Sequence, residues 1–208
     1  MRPEEVAAAL MEGAVVLDMR PPRPFAGGHL PGAVNLQFNR ADLADRAEMV
    51  LPTEVRYIVH AEPEPIAKVA AQILRDAGFT VFGHLAEGLK AWRDAGQPIE
   101  DLPLIDVDQL HSNLSAYHVI DAREPYEFRH GHIAGAVLLP SSEAWERAEQ
   151  AGGDKPLAVV CGDQVRSSLV ASILLRHQKQ AALVFGGMVD WLDRGFEVEK
   201  SEPVAKRS

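Results

Sequence analysis

One cysteine stands among 208 residues, and its neighbours are those that a sulfur nucleophile needs. It follows the apolar run Leu157-Ala158-Val159-Val160 and opens the segment Cys161-Gly162-Asp163-Gln164-Val165-Arg166-Ser167. The thiolate is the reactive form, and an unperturbed cysteine is only about 3% ionised at pH 7. Converging backbone N–H groups, the positive end of a helix and a nearby guanidinium all favour the anion. The segment has parts for each effect: Gly162 permits a tight turn, Arg166 brings charge, and Ser167 stands where a helix cap is expected. The bland reading of a lone cysteine is a small buried apolar residue. Its place between a buried strand and a helix, with arginine and serine following, brings catalysis level with that reading.

Those elements recur. With an offset of 103, Asp18, Arg20, Pro22, Phe25, Gly28, His29, Gly32, Ala33, Val34 and Leu36 are repeated identically from Asp121 to Leu139. Ten identities in 19 positions mark a duplication, and its domain-sized period excludes a solenoid. The boundary is expected near Asp101-Leu102-Pro103, which divides the chain into 1–101, 102–200 and a frayed tail at 201–208. Strands are expected at 15–18, 56–59 and 80–82, with a helix over 65–76. Their counterparts are strands at 118–121, 157–160 and 181–185, with a helix over 167–178. This alternation predicts an α/β protein of two domains, each a mostly parallel sheet flanked by helices on both faces. In such sheets ligands gather at the carboxyl ends of strands, which is where Cys161 falls.

The ordered set Asp121 and Arg123, Phe128, Gly131 through Ala136, Cys161 through Ser167, and Gly187 with Trp191 resembles the rhodanese sulfurtransferases. The resemblance spans both halves. It implies a tandem rhodanese in which Cys161 takes the outer sulfur of a donor, carries it as a persulfide and passes it to a thiophilic acceptor. Thiosulfate is the default donor; cyanide, a small thiol or a protein thiol would accept. Gly162, Asp163, Gln164, Val165, Arg166 and Ser167 would form the substrate loop, and no metal or organic cofactor is implied. Phosphatases on the same fold place five residues between cysteine and arginine, whereas this chain has four, so phosphate or arsenate chemistry ranks below sulfur transfer. A sulfur carrier or regulatory module without turnover is the alternative.

Some positions depart from the family pattern. Gln164 stands where glycine is common, which puts the usual loop conformation in doubt. Asp163 opposes an anion beside it, and its side chain is expected to point outward so that the amides face in. Glu127 replaces an arginine that larger members use for substrate, making a less basic pocket. Asp18/Arg20 and Asp121/Arg123 read as buried ion pairs that lock a loop. His29, His132, Trp92 and Trp191 recur in both halves and read as structural, and His130 as a solvated loop residue.

In the first half His60 replaces the cysteine, and the loop runs Ala61-Glu62-Pro63-Glu64-Pro65. Two prolines remove two amide donors and two carboxylates replace an anion-friendly environment, so this half is expected to be inactive and to shape the pocket mouth. A metal on His60, Glu62 and Glu64 is the weaker reading. A net charge of −9 disfavours nucleic acid and anionic membranes as partners. A single cysteine excludes an intrachain disulfide, and no stretch of 18 apolar residues occurs. The start carries Glu4, Glu5 and Glu12 and does not read as a signal peptide, which makes a cytoplasmic setting the default.

Overall fold

Short apolar runs alternate with amphipathic stretches, and each run becomes a strand of a wholly parallel sheet. The computed structural model describes residues 1–200, so the tail expected at 201–208 lies outside the described residues. The first half runs α1 (Pro3–Met11), β1 (Val15–Asp18), α2 (Pro22–Ala26), β2 (Val34–Asn35), α3 (Leu43–Val50), β3 (Tyr57–His60), α4 (Glu64–Asp76), β4 (Val81–His84) and α5 (Gly88–Asp94). Its strand order is β2-β1-β3-β4. The second half runs β5 (Leu104–Asp106), α6 (Val107–Ser112), β6 (His118–Asp121), α7 (Pro125–His130), β7 (Val137–Leu138), α8 (Ala144–Arg147), β8 (Leu157–Val160), α9 (Val165–Arg176), β9 (Ala181–Phe185) and α10 (Gly187–Asp193). Its order is β5-β9-β8-β6-β7.

Alternation along the strands sends side chains to opposite faces of the second sheet. Leu157, Val159 and Leu183 face one core with α9, while Ala158, Val160 and Val184 face another with Val107, Leu110, Met188 and Trp191. Burial on both faces is why β8 reads as an unbroken apolar run. β5 escaped the sequence reading because it is short and largely exposed, with no such run to signal it.

The two halves share a core. Val34, Leu36 and Leu43 of the first half lie in one cluster with Leu169, Val170, Ile173 and Leu174 of α9. The edge strand β2 ends against α9: Asn35 N–H donates to Ser172 Oγ at 3.0 Å, and Ser168 Oγ donates to Asn35 Oδ1 at 2.5 Å. The Asn35 side-chain amide donates in turn to the carbonyls of Asp18 and Arg20, which satisfies it completely in a buried place. α9 therefore leaves the Cys161 loop already clamped by the other half.

Candidate active site

Cys161 follows β8 directly, has no exposed surface and belongs to the shared core. Its Sγ lies 3.2 Å from Ser167 Oγ and 3.8 Å from Asp163 Oδ1. α9 begins at Val165, two residues sooner than the spacing predicts, so Ser167 is not the cap. It sits in the first turn, where its hydroxyl donates to the Gln164 carbonyl at 3.3 Å and turns its oxygen to the sulfur.

The early start has a physical cause. Asp163 Oδ1 accepts the N–H groups of Gln164 and Val165 at 2.8 and 3.1 Å. These donors have no intrahelical acceptor and sit at the positive end of α9, so a carboxylate one step upstream is drawn to them. Asp163 is exposed, as expected of an outward-pointing side chain, but its Oδ1 turns back onto the loop amides, which the sequence reading did not anticipate. Gln164 also departs from expectation: it adopts φ 150°, a region that favours glycine, despite its side chain.

Two glycines seat the loop from the far side. Met188 N–H donates to the Cys161 carbonyl at 2.7 Å and Val189 N–H to the Gly162 carbonyl at 3.2 Å. α10 can come this close because Gly187 lacks a side chain; a Cβ there would lie 2.5 Å from the Cys161 oxygen. The Gly186-Gly187 pair at φ 91° and 61° after a strand was the sequence signal for this contact, which the spacing to Trp191 alone did not reveal.

Arg166 does not present a free charge to the sulfur. Its two terminal nitrogens meet the two oxygens of Glu127 at 2.5 and 2.9 Å. The Arg166 hydrogen bonds hold the Glu127 carboxyl below the usual carboxylate range, and Glu127 pushes the guanidinium further toward its charged form. Above the loop lies a cleft of about 480 Å³ lined by Gly162, Asp163, Val165, Arg166 and Val189 of the second half. Gln37, Asn39, Asp42 and Arg46 of the first half complete its wall. An apolar recess of about 160 Å³ adjoins it, walled in part by Leu36, Met49, Val50 and Leu169.

Behind the loop, Asp121 holds Arg123 through three side-chain bonds of 2.6 to 3.1 Å and accepts its backbone N–H at 3.0 Å. Arg123 then reaches the Gly131 carbonyl at 2.7 Å, tying the end of β6 to the end of α7. His132 stacks on Phe128 and bonds its carbonyl, while His130 is exposed and bonds the Tyr126 carbonyl. Trp191 is buried, with its indole N–H on the Glu197 carbonyl.

Comparison with known proteins places this arrangement. The profile of the rhodanese-like domain matches residues 2–95 and again 106–194. The chain belongs to the rhodanese-like domain family. Among its relatives, the thiosulfate sulfurtransferase GlpE of Pseudomonas entomophila is 35% identical over 92 residues, 44% of this chain and 81% of that protein. The uncharacterized protein YqhL of Bacillus subtilis is 41% identical over 59 residues, 28% of this chain. The match spans about half, 47%, of the Bacillus protein's length. A rhodanese-related protein of Thermoplasma volcanium superimposes with a TM-score of 0.46 at 32% identity, over 48% of this chain and 99% of that one.

The first rhodanese-like domain repeats the scaffold but not the loop. Asp18 and Arg20 pair with the same spacing, and Arg20 reaches the Gly28 carbonyl at 2.8 Å. His29 stacks on Phe25, and Trp92 bonds the Pro98 carbonyl. At the strand end, however, His60 is buried with neither ring nitrogen hydrogen-bonded, and burial lowers its pKa. Glu62 Oε1 accepts the Leu89 amide of α5 at 3.2 Å and stays 3.9 Å from His60 Nε2. Glu64 turns away to Lys68 and His84, so the triplet does not converge; among the described residues no cluster of three metal-ligating side chains is found.

Proposed function

We propose that this rhodanese-like protein is a sulfurtransferase whose second domain, 102–200, carries the reaction and whose first, 1–101, is inactive. Cys161 thiolate attacks the outer sulfur of a donor. With thiosulfate, the donor S–S bond breaks, sulfite leaves with its electron pair, and Cys161 is left as a persulfide. An acceptor such as cyanide or a thiol then takes the outer sulfur and restores the thiolate. Gly162 to Ser167 form the loop that holds the charged sulfur, with first-turn amides of α9 as donors; the Ser167 hydroxyl, which donates to the Gln164 carbonyl beside the resting thiol, would turn to the sulfur once it is ionised. Asp121 and Arg123 act as loop supports. The scheme needs no metal or organic cofactor and no nucleic acid partner. No helix among the described residues is long and apolar enough to cross a membrane. A cytoplasmic setting follows from the reduced thiol that the reaction requires.

The observation that carries this reading is the sole cysteine at the foot of α9, 3.2 Å from a first-turn hydroxyl and at the head of a loop whose Gly162, Asp163, Val165 and Arg166 line a cleft. Intact mass after exposure to thiosulfate tests it. The expected result is a gain of one sulfur atom, removed by cyanide and absent in Cys161→Ser; no gain from any sulfur donor would overturn it. A carrier or regulatory module without turnover is favoured by one observation, the Asp163 carboxylate already lodged on two loop amides. Loading with sulfur but no multiple turnover would support that second reading. A phosphatase would need Arg166 free for phosphate, and Glu127 occupies it.

A further inference from the structure

Resting on the sulfurtransferase reading, we infer that the donor for Cys161 is the persulfide of a small organic thiol bearing a positive charge, and not a small inorganic dianion such as thiosulfate. The cleft above the loop has two arginines, and both are already matched. Arg166 is held by both oxygens of Glu127, and Arg46 by Asp42 Oδ1 at 2.8 Å and the Gln37 carbonyl at 2.6 Å. Asp163 and Glu124 add two more carboxylates to the walls of the cleft and its recess. In the cleft itself Asp42 and Asp163 thus offset both guanidiniums, and Glu127 behind Arg166 and Glu124 in the recess wall add further negative charge around the place where a dianion would have to sit. Two of the loop amides are also taken, because Gln164 and Val165 donate to Asp163 Oδ1, only 3.8 Å from Sγ.

The same features suit an ammonium group. A cation in the cleft would draw on the Asp163 carboxylate and free its two amides for the outer sulfur as that sulfur arrives. The adjoining recess, with Leu36, Met49, Val50 and Leu169 in its wall, would take an aliphatic stem, which thiosulfate lacks. In the step itself, Cys161 thiolate bonds to the terminal sulfur of R–S–SH. The donor S–S bond breaks, R–S⁻ leaves with that electron pair, and Cys161 becomes Cys161–S–SH.

The test is the rate at which the full chain gains one sulfur atom by intact mass. The donors are cysteamine persulfide, the persulfide of 3-mercaptopropionate and thiosulfate, each rate divided by that donor's rate with a free small thiol. The ammonium donor is expected to load about tenfold or more faster than the carboxylate donor and thiosulfate. The double variant Glu127→Gln with Asp163→Asn should reverse the order of the two organic donors. Equal rates for the two persulfides, or faster loading by thiosulfate, would overturn the donor inference and leave the sulfurtransferase reading intact. No loading by any of the three would overturn both.

Discussion

The loops after β3 and β8 end equivalent strands and open equivalent helices, yet they hold opposite contents. Around both, the aspartate–arginine pair, the stacked histidine and the buried tryptophan keep nearly the same geometry. In the second domain α10 binds the carbonyls of Cys161 and Gly162, which fixes the backbone of the loop. In the first, the equivalent Leu89 amide is taken by the Glu62 side chain, and His60 replaces the sulfur. The scaffold is thus shared by both domains, which differ in a handful of loop residues at the strand end.

The sharpest way to break this contrast is to give the first loop a thiol. His60→Cys in a Cys161→Ser background is expected to gain no sulfur from any donor by intact mass. Pro63 and Pro65 supply no N–H, and Glu62 would face the anion. Loading there would show that the cysteine alone makes the site.

Removing the first domain should have the next largest effect. Residues 104–208 alone would expose Leu169, Val170, Ile173 and Leu174, which now lie in the shared core, and leave Ser168 and Ser172 without Asn35. The fragment is expected to be aggregated or to lack a cooperative thermal transition. A soluble, cooperatively melting, sulfur-loading fragment would end the idea that the first domain clamps α9.

The matched glycines offer a finer comparison. Gly187→Ala forces a Cβ to within 2.5 Å of a backbone oxygen, and backbone cannot yield cheaply. It should cost about 2–4 kcal/mol in urea unfolding. Gly88→Ala has a similar φ of 65°, but its Cβ would meet the movable end of Glu62 at 3.1 Å. About 1 kcal/mol is expected there, close to the left-handed penalty alone. The smallest effect concerns Gln164, whose φ of 150° costs a side-chain-bearing residue about 1–3 kcal/mol. Gln164→Gly should raise stability by about 0.5–1 kcal/mol after the extra chain entropy of glycine is subtracted; an unchanged or lower urea midpoint would refute the strain.

Much of the fold was readable in one dimension, since a buried parallel strand must be apolar on both faces and a duplicated pattern announces two sheets. β1, β6, β8 and β9 fall at the expected residues, while β3, β4 and α9 shift by one or two. The shift of α9 mattered most. It arises because Asp163, read as an outward-pointing nuisance, supplies the hydrogen bonds that start the helix.

Residue type and order by themselves determined the family, the doubled α/β plan and the strand end that bears the only cysteine. Such properties follow from local patterning, which each segment carries in its own residues. Tertiary structure alone decided where charge resides: Glu127 on Arg166 across 39 positions, Arg46 brought to the second domain's cleft, and Asn35 seated on α9 across 133. Electrostatic and hydrogen-bond partners are chosen by distance in space, and distance between remote segments exists only once both sheets have packed on their common core.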